Sequence, residues 1–283
     1  MNKIFLSSSC FQSLSYEDCF KKFKKLNVNN IELSFNKYKK NQNKIFSKEL
    51  KNFNVQIHNY FPNDKNIFFL NLSSKDDKIV KKSIDKIHKN ILRAKDLKVK
   101  YVSFHAGFLF DIIDKKISNS YNDHEYAMNL FKKNILILSK IAKKNKITLL
   151  IENNIITKKN LSFFKFNPLL LTHPNELISF FQWAPANVKL IMDVGHFKVN
   201  SRTLNFDRNL GMKKLIKYIN AFQLSENNGF KDENKPFNTK SWFMPFLKKK
   251  NFSFYSLELN EVYKKQFIKT ILLLENYLKK NAV

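Results

Sequence analysis

Short apolar runs alternate along the chain with longer segments in which apolar residues recur at helical spacing. In 77–95, isoleucine, valine and leucine recur at intervals of three, four and seven residues, with Lys and Asp between them. This spacing predicts an amphipathic helix, and 125–144 and 262–279 carry similar stripes. Runs rich in β-branched and aromatic residues predict eight strands, at 3–9, 30–35, 55–61, 100–107, 147–154, 189–196, 221–227 and 252–260.

Eight strand–helix units within 283 residues predict a single (β/α)8 TIM barrel that occupies residues 1–283 as one domain. The strands read as nearly continuous apolar runs, as expected for parallel strands covered by helices. The alternative is an open, doubly wound sheet, which normally carries a glycine-rich phosphate loop after its first strand. Here "LSSSCFQS" follows the start of the first run without any glycine, and this favours the barrel.

The formal net charge of +28 raises the question of nucleic-acid binding, because clustered Lys and Arg neutralise phosphates. However, Lys is spread over nearly every predicted helix, and Arg occurs only at Arg93, Arg202 and Arg208. Arginine is the cation that suits phosphate and guanine edges best. The distribution therefore favours a solvated basic surface and argues against nucleic acid as a partner.

The two cysteines, Cys10 and Cys19, are too few for a disulfide framework and form no CxxC pair. The apolar run in "MNKIFLSSS" is shorter than the core of a signal peptide, which takes about 7–15 residues. No segment reaches the ~18 apolar residues of a membrane span. We therefore expect a cytoplasmic protein with no membrane contact.

Polar side chains end most of the predicted strands, and in a barrel of this kind the strands' carboxyl ends form the active-site face. Any one of these residues, taken alone, is more often a cap than a ligand. Several carboxylates buried together, however, repel one another strongly unless a cation compensates them. Three carboxylates with an amide or imidazole form an oxygen-rich ligand set, which favours Mn²⁺, Mg²⁺ or Co²⁺ over Zn²⁺. The polar residues at the strand ends are His58, His105, Glu152, Asp193, His196, Gln223 and Glu258.

Five short motifs, "IHNYF", "SFHAG", "LIENN", "MDVGH" and "LEL", follow one another at these strand ends. In this order they resemble the xylose isomerase-like TIM barrels. That family includes sugar and sugar-phosphate isomerases and epimerases, and the zinc-dependent apurinic endonucleases. The resemblance implies a small-molecule sugar or sugar phosphate as the partner. Barrels of this group often self-associate, so it also allows a homo-oligomer.

In the ketose-epimerase branch, one divalent metal is held by Glu, Asp, His and Glu from strands 5 to 8. The resemblance places these ligands at Glu152, Asp193, Gln223 and Glu258, so that Gln223 stands where the branch usually has His. It implies that Glu152 and Glu258 exchange the proton α to a carbonyl through a metal-stabilised enediolate. The residues implied for substrate binding are His58, His105, His196 and Arg202.

Two other functions remain open. In the apurinic endonuclease branch, three zinc ions would be held by nine positions, and His would be replaced at Gln223 and Asn234. The basic charge favours this function, and the two replacements argue against it. The second alternative is a non-catalytic sugar-binding barrel in which Gln223 marks a degenerate metal site. The nine positions are His58, His105, Glu152, Asp193, His196, Gln223, Asp232, Asn234 and Glu258.

Overall fold

The computed structural model describes residues 3–65, 68–113, 116–118, 121–248 and 251–280. Eight parallel strands close into a barrel in the order β1-β8-β7-β6-β5-β4-β3-β2, which confirms the predicted (β/α)8 fold. Each predicted run overlaps one strand. The strands are β1 Ile4–Ser7, β2 Asn30–Leu33, β3 Asn54–Ile57, β4 Tyr101–His105, β5 Thr148–Glu152, β6 Val188–Asp193, β7 Ile219–Leu224 and β8 Tyr255–Leu257.

Helices follow or lie between the strands and cover the outside of the barrel. Short 3₁₀ helices at Ser8–Phe11, Leu50–Asn52 and Met244–Phe246 accompany them. A two-stranded antiparallel hairpin, Ile112–Ile113 with Lys116–Ile117, lies between β4 and the next helix and was not predicted. The α-helices are α1 Tyr16–Lys25, α2 Gln42–Glu49, α3 Asp77–Asp96, α4 His124–Lys144, α5 Lys158–Phe164, α6 Pro174–Trp183, α7 Val194–Thr203, α8 Arg208–Leu215 and α9 Phe267–Lys280.

The last predicted helix, 262–279, begins differently in the structure. Residues Glu261–Gln266 form a 3₁₀ helix that buries none of its side chains, and α9 starts only at Phe267. Phe267 and Leu274 are fully buried, so the apolar stripe that anchors this helix to the barrel starts at Phe267. In the preceding 3₁₀ helix Tyr263 packs on the core but is only partly buried, so packing favours α-helical geometry less there than in α9.

Two apolar cores hold the barrel. The larger one fills the space between the strands and the surrounding helices. The smaller one fills the inside of the barrel near its amino-terminal end, where Phe5 packs edge-to-face on Phe254 with ring centroids 5.6 Å apart. The members of this inner layer are Phe5, Leu150, Ile191, Ala221 and Phe254.

Two residues further along each of these five strands, the side chain is polar. Successive side chains of a strand alternate between its two faces, so residues two apart share a face. These five polar residues are all buried: Ser7, Glu152, Asp193, Gln223 and Ser256. The inside of the barrel is therefore closed below by an apolar layer and is polar towards the carboxyl ends of the strands.

Within the described ranges, no helix combines the length and the apolar character needed to cross a bilayer.

We expect the inner layer to carry a large share of the stability. Leu150 is fully buried there, so Leu150→Ala should lower the free energy of unfolding by about 2–5 kcal/mol, through lost apolar burial and the cavity left behind. Leu272→Ala is the matched control, because Leu272 on α9 is 51% exposed and its truncation should cost less than about 0.5 kcal/mol. Urea unfolding of both variants measures the difference; equal losses would contradict the prediction.

Candidate active site

Glu152 is the centre of the polar layer. It is the last residue of β5, it is buried, and three imidazoles surround its carboxylate. His58 Nε2 lies 3.4 Å from Oε2, while His105 Nδ1 and His196 Nδ1 lie 3.4 and 3.3 Å from Oε1. Because these residues come from the ends of four different strand–helix units, the barrel closure alone brings them together.

The junction of β6 and α7 fixes the next part of the site. Asp193 is the last residue of β6 and the N-cap of α7, and its Oδ1 accepts a 2.7 Å hydrogen bond from the backbone N–H of His196. Asn153 clamps this junction, because its side chain accepts from Asp193 N at 2.8 Å and donates to Asp193 O at 3.1 Å. His196 Nδ1 lies 2.9 Å from Asn153 O, and Nε2 faces Asp232 Oδ2 at 3.5 Å.

Gln223 and Glu258 form the third part of the site, together with Glu32 of β2. The amide nitrogen of Gln223 donates to Oε1 of Glu32 and to Oε1 of Glu258, each at 3.4 Å. Ser7 Oγ and Ser9 Oγ also donate to Glu258 Oε1, at 3.3 and 3.4 Å. Glu32 and Gln223 have no exposed surface. A second buried carboxylate therefore shares the amide of Gln223 with Glu258.

Burial raises the pKa of four carboxyl groups in the site, those of Glu32, Glu152, Asp193 and Glu258, because it disfavours the charged form. The pKa rises to about 7 for Glu32, to about 6 for Asp193 and to about 8 for Glu258. The pKa of Glu152 rises well above its ordinary value. Repulsion among the carboxylates adds to the effect of burial in each case.

The three histidines near Glu152 divide into two kinds. Burial lowers the pKa of His58 to about 3 and lowers the pKa of His105 well below its ordinary value, so both rings are neutral at pH 7. Burial acts on His196 in the same direction, but the charges of Asp193, Asp232 and Glu152 raise its pKa well above the ordinary value. His58 and His105 can therefore offer lone pairs, whereas His196 can donate a proton.

The donor set fits a divalent cation. Ligand atoms of His58, His105 and Glu152 lie within 4.8 Å of one another, and so do those of Glu152, Asp193 and His196. Two of the buried oxygens in the site, Glu152 Oε2 and Gln223 Oε1, receive no hydrogen bond from the described residues. An orphaned buried oxygen is costly, and a cation would satisfy both of these atoms.

The structure thus brings together most of the residues predicted to form the site, although their functional roles stay predictions. Arg202 lies elsewhere. It is exposed on the last turn of α7, with its guanidinium stacked 3.6 Å from the ring centroid of Phe230 and Nη1 3.5 Å from Asn228 O. Lys198 on the same helix pairs with Glu226 at 2.6 Å. Both cations contact the loop that follows β7.

Two residues of the site, Glu32 and Asn153, were not predicted. Glu32 lies within the strand "NIEL", where Ile31 and Leu33 face the helices and Glu32 faces the inside of the barrel. A single acid on the inner face of an otherwise apolar strand was the available signal. Asn153 lies inside the quoted motif "LIENN", but its role depends on pairing with β6, which the local sequence does not show.

Comparison with known proteins confirms the family resemblance. The profile of the xylose isomerase-like TIM barrel family matches residues 20–264. No curated protein sequence matches the chain significantly.

Among solved structures, a D-tagatose 3-epimerase-like protein is 18% identical, with a TM-score of 0.72 over 98% of this chain and 97% of its own. D-psicose 3-epimerase from Clostridium cellulolyticum H10, solved with D-tagatose, is 16% identical, with a TM-score of 0.63 over 99% and 95%. An L-ribulose 3-epimerase is 14% identical, with a TM-score of 0.66 over 99% and 96%. At these identities the likeness shows the shared fold.

We expect the metal-free protein to lose unfolding free energy as the pH rises from 6.5 to about 8. Glu32 and Glu258 hold their protons in the folded state up to about pH 7 and 8, whereas the unfolded chain releases them near 4.5. Their contribution is complete below the unfolded value and is lost as the pH rises through the folded values. The lowered pKa of His58 acts in the opposite direction only below about pH 6.5.

Urea unfolding in the presence of a chelator, at intervals of half a pH unit, measures this loss. Glu258→Gln removes one of the titrating groups and should flatten the profile. A stability that does not change with pH across the same window would show that the buried carboxyls are already ionised in the folded protein and would contradict the prediction.

Proposed function

Because the chain belongs to the xylose isomerase-like TIM barrel family, we propose that it is a divalent-metal-dependent isomerase or epimerase acting on a sugar or sugar phosphate. The observation that carries the proposal is the pair of glutamates at the carboxyl ends of β5 and β8, Glu152, which is buried, and Glu258, which is partly buried. Strands β6 and β7 separate them in the barrel, so the two carboxyls approach the mouth from different sides. The titles of the similar structures name ketose 3-epimerases, which supports this class of substrate.

The two glutamates suit the transfer of a proton to and from a carbon next to a carbonyl. A general acid or base works best when its pKa lies near the operating pH, and burial raises both of these pKa values in that direction. One glutamate would remove the proton and the other would return it, on the opposite face for an epimerisation. Hydrogen bonds from Ser7 and Gln223 hold the Glu258 carboxyl in place.

A divalent cation, when bound, would supply Lewis-acid polarisation of the carbonyl and the adjacent hydroxyl. Glu152, Asp193, Gln223 and Glu258 are the proposed ligands, and their oxygen-rich set favours Mn²⁺, Mg²⁺ or Co²⁺ over Zn²⁺. His196 would bind a substrate oxygen through Nε2, in place of its 3.5 Å contact with Asp232. His58 and His105 would line the same pocket. Arg202, which lies outside this cluster against the loop after β7, would meet an anionic group of a longer substrate.

Solvent exchange tests the proposal directly. The protein loaded with Mn²⁺ should exchange the α-proton of at least one ketose in a panel that includes D-tagatose, D-psicose, L-ribulose and their phosphates. In deuterium oxide, NMR follows the incorporation. We expect Glu152→Gln and Glu258→Gln each to slow the exchange by about 10²–10⁴-fold, the range for loss of a general acid or base.

Glu125→Gln is the matched control, because Glu125 is exposed on the first turn of α4. It should exchange at the wild-type rate. Exchange that survives in both site variants would overturn the assignment of the two glutamates. A wild type that binds no metal and exchanges no ketose would favour the non-catalytic barrel.

One observation favours a second function, a metal-dependent nuclease with more than one ion. His58 and His105 contact Glu152 with neutral rings, and Asp232 pairs with His196, so donors stand on both sides of the proposed single-metal site. These are positions that the resemblance to apurinic endonucleases assigns to additional zinc ions.

The two functions predict different metal contents. For the epimerase we expect one ion per chain by elemental analysis after dialysis, and no cleavage of DNA that contains an abasic site. His58→Asn should then leave the metal content at one, because His58 lies outside the proposed ligand set. Two or three ions per chain together with nicking of abasic DNA would establish the nuclease instead.

A further inference from the structure

The carboxylate of Glu32 lies inside the barrel beneath the site and has no part in the proton transfer described above. It projects from β2, on the strand next to β1, where Ser7 is its register neighbour. Oε1 accepts the hydrogen bond from the amide of Gln223, although 191 residues separate the two positions in the chain. Oε2 is buried and receives no hydrogen bond within the described part of the chain. A buried carboxylate is costly, so its presence calls for a function.

The contact between Glu32 and Gln223 determines the orientation of the Gln223 side-chain amide. A glutamine amide presents a donor NH₂ at one end and an acceptor oxygen at the other, and the two ends have nearly the same shape. A carboxyl oxygen that carries no proton only accepts hydrogen bonds. Oε1 of Glu32 on one side and Oε1 of Glu258 on the other both accept from Gln223, and so both select its NH₂ end.

The oxygen of Gln223 is at the end of the amide that does not contact Glu32 or Glu258. β7 lies between β8 and β6, and Asp193 on β6 is the register neighbour of Gln223. With the NH₂ group held by Glu32 and Glu258, Oε1 remains buried without a partner among the described residues. That oxygen is the only atom of a glutamine side chain that can bind a metal cation.

We propose that Glu32 is a positioning residue that, with Glu258, holds the Gln223 amide with its oxygen towards the cation site. This inference rests on the proposed metal-dependent function and deepens it. A histidine that binds a metal usually donates its other ring N–H to a carboxylate, which fixes the orientation of the ring. Glu32 fixes the orientation of the Gln223 amide in the same way. An oxygen presented in this way, in place of an imidazole nitrogen, favours hard cations such as Mn²⁺ and Mg²⁺ over Zn²⁺.

The test compares Mn²⁺ affinity and metal-free stability in the same variants of the full chain. Glu32→Gln keeps the volume of the side chain, but its own NH₂ group can donate to Gln223 Oε1 and so permits the amide to turn. We expect the Kd for Mn²⁺ to rise about 10–100-fold, the range seen when a residue that orients a metal ligand is lost. The Tm of the metal-free protein should stay the same or rise, because the variant replaces a buried carboxyl group, which is costly to bury, with an uncharged amide of similar volume.

A merely structural role for Glu32 would give the opposite pattern, a lower metal-free Tm with the Kd unchanged within about twofold, and would overturn the inference. Glu125→Gln, on the exposed face of α4, is the control for the charge change and should leave both quantities unchanged. Glu32→Asp retains an acceptor-only carboxylate and should recover part of the lost affinity.

A double-variant cycle separates positioning from direct binding of the cation by Glu32. In a Gln223→Met background there is no amide to orient, so adding Glu32→Gln should change the Mn²⁺ Kd by less than about twofold. An undiminished 10–100-fold effect in that background would identify Glu32 as a ligand itself and overturn the positioning role.

Titration calorimetry of the wild type distinguishes this inference from the proposed function. A wild type that binds Mn²⁺, with a Glu32→Gln variant that binds equally well, would overturn the inference and leave the function standing. A wild type that binds no divalent cation would overturn both.

Discussion

Four carboxylates buried at one end of a closed barrel impose the constraint on which the rest of the site depends. Glu32, Glu152 and Asp193 are buried, and Glu258 is partly exposed. Their mutual repulsion must be offset by protons, by hydrogen bonds or by a cation. The raised pKa values of these groups favour bound protons. Hydrogen bonds come from Ser7 and Gln223, which donate to Glu258, and from the first turn of α7, which donates to Asp193. The same repulsion favours the binding of a cation, because its positive charge would offset the negative charges of the carboxylates.

The fold could be predicted from the sequence because parallel strands covered by helices leave a strong signal. Each such strand is apolar on both faces over much of its length, and each long helix carries an apolar stripe. The pattern did not predict the 3₁₀ helix Glu261–Gln266 or the short antiparallel strand pair Ile112–Ile113 and Lys116–Ile117. Elements this short span too few residues to leave a clear periodicity in the sequence.

The site was predictable to the extent that barrel closure alone gathers the strand ends. Glu152, Asp193 and Glu258 lie at the carboxyl ends of β5, β6 and β8, and any eight-stranded parallel barrel brings such residues to one rim. Contacts across the barrel were not predictable in the same way. The pairing of Glu32 with Gln223 joins β2 to β7, and the stacking of Arg202 on Phe230 depends on the path of a loop. Neither contact follows from strand order, because each requires knowing where particular side chains point.

The amide at position 223 changes the electrostatics of the site in a definite direction. An imidazole there would compete for a proton as the pH falls, whereas an amide does not titrate and keeps its oxygen available at every pH. Burial already holds His58 and His105 neutral, so protons compete little with a cation for these rings either. Among the proposed ligands, proton competition is thereby confined to the carboxyl groups, and the pKa of Glu258 lies near neutrality. In the proposed reaction, the glutamates that exchange protons are also groups whose charge a bound cation would control, whereas Gln223 carries no charge of its own.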